Sequence, residues 1–199
     1  MDKRLKRARE ILTIESAAIK NIPLDNSILK AVELIAFCKG KVITSGMGKA
    51  GIIAKKVSST FSSTGTPSVY LHPGEAQHGD LGMLGKNDAL LVFSNSGKTR
   101  EAIEMVELAR GLSRNIPVIV ITANPDSGLA KQASVVLNIG TIKEACPLGM
   151  APTTSTTAML ALGDVLCMLV MEEIKFTAEE FAKRHHGGYL GIKSKKKKR

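Results

Sequence analysis

Between Leu5 and Lys20 apolar residues recur at helical spacing, with Ile11, Ile14 and Ala18 on one side, until Pro23 ends the pattern. A second helix is predicted from about Asn26, carrying Ile28, Leu29, Val32, Leu34, Ile35 and Phe37, with Gly40 as its stop. Beyond Gly40 the period changes, and short continuous apolar runs alternate with longer helical stretches. Residues 41–44, 68–71, 89–93, 118–121 and 135–139 read as five buried strands, rich in Val, Ile and Leu. Such unbroken apolar runs suit a parallel sheet covered on both faces. Helices are predicted over 50–63, 99–112, 127–133 and 154–173. This alternation predicts an α/β fold, a doubly wound layered sandwich preceded by N-terminal helices over 1–39. Residues 1–192 read as one domain and 193–199 as a basic, disordered tail.

The chain's 199 residues are enough to bury a core, and 44% hydrophobic with 23% charged residues is ordinary for a soluble globular protein. No apolar run is read as membrane-spanning, and the N-terminus lacks the apolar core of a signal peptide, so a cytoplasmic protein that avoids the membrane is expected. The cysteines Cys38, Cys146 and Cys167 are odd in number and form no CxxC pair, which suits a reducing compartment. A net charge of +10 invites a nucleic-acid reading, but its distribution weakens it. Residues 193–199 hold +6 and residues 1–9 hold +4, which leaves the body formally neutral. Terminal charge blocks are commonly solvated, and 4% aromatics leaves little for base stacking. Nucleic acid is therefore not expected as a partner.

In doubly wound sheets ligands bind beyond the carboxyl ends of the strands. After the first strand comes Ser45-Gly46-Met47-Gly48-Lys49-Ala50-Gly51, whose glycines permit close backbone approach ahead of a helix N-terminus. It is neither a P-loop nor GxGxxG. After the third strand, Ser94-Asn95-Ser96-Gly97-Lys98-Thr99 brings three hydroxyls, a flexible glycine and a helix N-terminus together. One hydroxyl would suffice as a cap; three favour a phosphate site. The loop after the second strand holds His72, Glu75, His78 and Asp80. After the fifth come Glu144, Cys146 and the hydroxyl run Thr153-Thr154-Ser155-Thr156-Thr157, expected to cap the last long helix and hold sugar hydroxyls. His185 and His186 follow near the end.

The stretches GMGKAG, STGTPSVYLHPGEAQHGDLGM, SNSGKT, KEACPLGMAPTTSTT and IKFTAEEFAKRHHGG resemble the sugar isomerase (SIS) domain of bacterial arabinose-5-phosphate isomerases, over about residues 8–192. That resemblance implies a flavodoxin-like three-layer fold with a five-stranded parallel sheet. It also implies a homotetramer whose sites are completed by neighbouring subunits, and interconversion of D-ribulose 5-phosphate and D-arabinose 5-phosphate for Kdo, a component of lipopolysaccharide or capsule. A nucleotide-sugar end product is a further ligand to be expected. By the same resemblance Ser94, Asn95, Ser96 and Thr99 hold phosphate, with Ser45, Gly46, Gly48, Thr153, Ser155 and Thr156 around the substrate. Lys49, His78, Glu101, Glu144 and His185 match positions implicated in catalysis. The chain departs from the family pattern at Ala50 (commonly Ser), Lys98 (commonly Glu) and His186 (commonly Pro), and the paired CBS modules that commonly follow this domain are not expected.

Aldose–ketose isomerisation needs a base to move a proton between C1 and C2 and an acid to serve the carbonyl oxygen. Glu144 or Glu101 is expected as the base, its pKa raised in a water-poor pocket, and spacing does not choose between them. Lys49 would stabilise the enediolate and His185 would relay protons. Neither a cofactor nor a metal is expected, since His72, Glu75, His78 and His185 match no metal-binding spacing. The rivals are an isomerase for another ketose phosphate and a non-catalytic sugar-phosphate sensor.

Overall fold

The computed structural model describes residues 2–185. Its centre is a parallel sheet of β1 (Val42–Gly46), β2 (Ser68–Leu71), β3 (Ala89–Phe93), β4 (Val118–Thr122) and β5 (Val135–Asn138), ordered β2-β1-β3-β4-β5. β1 pairs on one side with β2 (Val42 opposite Ser68) and on the other with β3 (Val42 opposite Ala89). The chain thus moves outward one way from β1, then returns and builds the other way from β3. The gap between the carboxyl ends of β1 and β3, where Gly46 lies opposite Phe93, is the topological switch point.

Side-chain alternation along the strands feeds two apolar layers. Leu91, Phe93, Ile119 and Ile121 pack with α2 (Asn26–Ala36), α3 (Gly48–Ser63) and α6 (Thr154–Glu173). Leu90, Val92, Val118 and Val120 face the other way, onto Ala102, Met105, Val106 and Ala109 of α5 (Arg100–Leu112). All five residues of β1, β3 and β4 are buried, including the polar Thr44 and Ser45 of β1. Helix α1 (Lys3–Lys20) lies outermost against α6, with Ile11, Ile14 and Ala18 half-buried.

Helix α2 ends at Ala36, and Phe37, expected inside it, is an exposed cap residue. The helix expected over 127–133 is a single 3-10 turn, Ala130–Gln132. Ser127 there closes a turn onto Asn124 and accepts the Ala130 N–H through its hydroxyl, a local alternative that competes with helix growth. Among the described residues, the short helices α4 (Pro73–Ala76) and α7 (Ala178–Arg184) and a 3-10 turn, Asp80–Met83, lie outside the predicted pattern. Helix α6 corrects the membrane reading in part. It is long and apolar enough to cross a membrane, but half of that stretch is buried beneath α1, α2 and α3, as for a core helix.

Candidate functional site

A cavity of about 290 Å³ opens at the switch point. Its walls are the loop after β1 (Met47, Lys49, Ala50), the loop after β3 (Ser94, Asn95, Ser96, Thr99) and the start of α6 (Ser155, Thr156, Met159). Three helices begin here, and how each is capped decides what the cavity can hold.

Helix α5 has Thr99 at its N-cap, yet no side chain caps it. Thr99 Oγ1 lies instead 3.0 Å from Ser94 Oγ, which also accepts the Gly97 N–H at 3.2 Å. Ser96 Oγ accepts the Lys98 N–H at 3.2 Å. These bonds fold the loop tightly but commit only one hydroxyl proton, that between Ser94 and Thr99. The remaining protons and the open N–H groups of α5 can serve an anion. Gly97 permits this turn: its φ is +61°, and a Cβ would collide with Ser127. Underneath, Thr122 Oγ1 and Ala123 N–H both donate to the Asn95 carbonyl at 3.1 Å, fixing the loop to β4.

Helix α3 likewise has no side-chain cap, since Met47 occupies that position. Gly48 adopts φ +58° and Lys49 is exposed at the cavity wall. Tyr70 Oη donates to the Gly46 carbonyl at 2.9 Å and holds this loop in place. Ser45 lies elsewhere: it is buried, and its hydroxyl donates to the Leu71 carbonyl at 2.7 Å, away from the cavity walls.

Helix α6 is capped, though not by its hydroxyl run as expected. Glu144 Oε2 accepts from Thr153 N–H at 2.8 Å, Thr153 Oγ1 at 3.2 Å and Ser155 N–H at 3.3 Å. Thr156 Oγ1 donates to the Thr153 carbonyl at 2.8 Å. Burial pushes the Glu144 carboxyl up, but the Ser155 side chain, the Thr153 and Ser155 amides and the Thr153 hydroxyl outweigh it, and its pKa falls below the ordinary value. The expected upward shift at this glutamate is therefore reversed. The Ser155 hydroxyl lies close enough to the Glu144 carboxylate to favour its charged form, although not in full hydrogen-bond geometry. It is buried, lies outside hydrogen-bond geometry with every neighbour, and belongs to the cavity wall.

The remaining expected residues are more scattered. Glu101 is half-buried in the first turn of α5, beyond the lining residues. His78 is exposed after α4. His185 ends α7, stacked on Phe181 at 3.7 Å with Nδ1 2.9 Å from the Phe181 carbonyl, and is not among the cavity's lining residues. His186 and the basic tail lie outside the described residues. The apolar walls Met47, Phe93, Pro152 and Met159 carry no chemistry that a sequence reading could single out.

The SIS-domain family model matches residues 35–169, which span every wall of this cavity. The chain belongs to the SIS-domain family. Relatives include the arabinose 5-phosphate isomerases KdsD of Escherichia coli K12 (45% identical over 187 residues, 93% of this chain and 56% of the relative) and Pseudomonas aeruginosa (45% over 186 residues, 92% and 56%). This SIS chain therefore spans about half the length of these curated relatives. A solved phosphosugar isomerase involved in capsule formation from Bacteroides fragilis superposes with a TM-score of 0.91 at 54% identity, covering 94% of this chain and 99% of its own. An E. coli CFT073 protein in complex with arabinose 5-phosphate superposes at 0.87 with 33% identity, covering 93% and 100%.

Proposed function

We propose that this SIS domain is an aldose–ketose isomerase that interconverts D-ribulose 5-phosphate and D-arabinose 5-phosphate, supplying a sugar precursor of lipopolysaccharide or capsule. The observation that carries the reading is the cavity at the switch point. Two uncapped helix N-termini, the Ser94–Thr99 hydroxyl loop, the unpartnered Ser155 Oγ and the Lys49 ammonium all meet there. Neutral donors, helix dipoles and one cation suit a phosphate dianion joined to a hydroxylated chain. The names of the relatives, and the sugar-phosphate complex of a 33% identical structure, support the pentose over other sugars.

In the reaction, the α5 N-terminus with Ser94, Ser96 and Thr99 would anchor phosphate. Lys49 would face the C1–C2 oxygens and stabilise negative charge on the enediolate. We assign the proton transfer between C1 and C2 to Glu101, which lies beyond the lining residues in the first turn of α5 and would reach the substrate only in the bound complex. Glu144 is committed to three donors and held below the ordinary carboxylate range, which lowers its proton affinity and suits it to fixing α6. His78 and His185 lie outside the cavity wall of their own chain. This, with exposed Ile52, Leu148, Met150 and Met168, supports a homotetramer in which a neighbouring subunit brings histidines to the site. Light scattering coupled to size exclusion would report four copies, and a monomer with full activity would refute it.

The decisive experiment incubates the protein with D-ribulose 5-phosphate and follows D-arabinose 5-phosphate, in parallel with Glu101→Gln and Glu144→Gln in deuterated water. Turnover is expected, with solvent deuterium entering the substrate. Glu101→Gln should abolish exchange, and Glu144→Gln should retain it at a rate reduced about tenfold by misplacement of α6. No pentose phosphate turnover by the wild type sinks the function; undiminished exchange in Glu101→Gln sinks the base assignment.

A further inference from the structure

Helix α1 has no fully buried residue, yet polar links tie it to the loop and helix that form one wall of the site. Arg7 Nη2 donates to the carbonyl of Ala145 at 2.7 Å, and Arg7 Nη1 reaches Glu10 Oε2 at 3.2 Å. Farther along the helix, Glu15 Oε2 accepts from Thr157 Oγ1 at 3.3 Å. Ala145 directly follows Glu144 and is itself buried. Its N–H is held by Thr154 Oγ1 at 3.1 Å and Thr153 Oγ1 at 3.3 Å. The residue is thus gripped from both sides, its N–H by the start of α6 and its carbonyl by α1. The Glu144 carboxylate beside it caps the same helix and sets the direction of Ser155 and Thr156 toward the cavity.

We infer that Arg7 is a positioning residue. Its guanidinium fixes the Glu144 loop, and through that loop the α6 wall of the substrate cavity. A charged donor makes the stronger kind of hydrogen bond, and the planar fork can serve the carbonyl and Glu10 together. Without it, a carbonyl in a buried residue loses its partner and the loop shifts to find another. A displacement of that kind disturbs the alignment of reacting groups more than it disturbs phosphate anchoring, because the Ser94–Thr99 loop is tied separately to β4. The inference rests on the cavity being the isomerase site proposed above.

The test compares the full chain with Arg7→Ala and Arg7→Lys, measuring kcat and KM for D-arabinose 5-phosphate and amide hydrogen exchange across residues 143–155. Arg7→Ala is expected to lower kcat about tenfold while KM moves less than about twofold. Exchange around Ala145 should accelerate at least about tenfold as the clamp opens. Arg7→Lys, which keeps charge and reach but not the fork, should recover most of both. A kcat within twofold of wild type, unchanged exchange in Arg7→Ala, or a loss that lysine leaves unrepaired would overturn the assignment. If the wild type turns over no pentose phosphate, the function fails on its own, and exchange across 143–155 still decides the role of Arg7. Should Arg7→Ala not fold, Arg7→Gln replaces it under the same criteria.

Discussion

Ser155 places a hydroxyl in the cavity wall while only 1% of the residue is exposed, and that oxygen lies beside the Glu144 carboxylate without reaching full hydrogen-bond geometry. An unsatisfied buried polar group costs about 1–3 kcal/mol. That cost is recovered when a substrate oxygen arrives. Ser155→Ala is therefore expected to leave thermal stability unchanged or raise it slightly, and to weaken sugar-phosphate affinity about tenfold. Calorimetric melting and titration with D-arabinose 5-phosphate check both halves, and a destabilised variant with full affinity would make Ser155 structural. The Ser94–Thr99 loop was legible in the sequence because its chemistry is local: three hydroxyls and a glycine lie within six residues of a helix start. Glu144 was legible as a site residue but its work was not. Helix α6 takes its cap from a side chain on the far side of the Cys146–Pro152 loop, while the adjacent threonines, the natural candidates, cap nothing. Ser45 misleads for the complementary reason, since a hydroxyl in a glycine-rich loop can be taken up by a neighbouring strand.

Among elements, the strands could be read directly because a buried parallel strand announces itself as a short β-branched run between turns, and the five predicted runs coincide with β1–β5 to within two residues. Helix ends depended on contacts that a local pattern does not carry. The 127–133 segment has helix-forming residues, but its start is bound to the β3 loop, where the Leu129 N–H donates to the Gly97 carbonyl at 3.2 Å. Helix α7 did have a local signal, the Thr177–Glu180 capping box. The α3–α6 contact makes a sharper claim. A Cβ on Gly163 would come within 2.5 Å of Val57 Cγ2, so these helices approach as closely as they do because position 163 has no side chain. Gly163→Ala should destabilise by about 1–3 kcal/mol through overpacking, although alanine favours helix at an exposed position. Urea unfolding measures it. A stabilised variant would mean that α6 is free to move away from α3.

At the scale of the whole molecule, two carboxylates brace opposite ends of the sheet, and their titration sets how the fold responds to acid. Glu144 caps α6 at the carboxyl end. Asp88, 3% exposed, lies just before β3 at the other end, where it accepts from Lys41 N–H at 2.8 Å, Gly85 N–H at 2.7 Å and Lys41 Nζ at 2.7 Å. Burial pushes the Asp88 carboxyl up, but the Lys41 ammonium and the Gly85 and Lys41 amides outweigh it and hold it below the ordinary value. A group whose folded pKa is depressed contributes stability that is fully present above its unfolded pKa and is lost as pH falls through the folded one. With ordinary carboxylate values of about 4, stability should be insensitive to these two groups above about pH 5 and decline below about pH 4. Asp88→Asn keeps the shape but removes the charge opposite a partly exposed lysine, so it should cost about 2 kcal/mol near neutrality and flatten the acid limb. Glu144→Gln should flatten it independently, because the two sites lie at opposite ends of the strands and share no partner. Urea titrations from pH 3 to pH 7 on wild type, both single variants and the double variant check this. An unchanged acid limb in Asp88→Asn, or strongly non-additive losses in the double variant, would place the acid sensitivity elsewhere in the molecule.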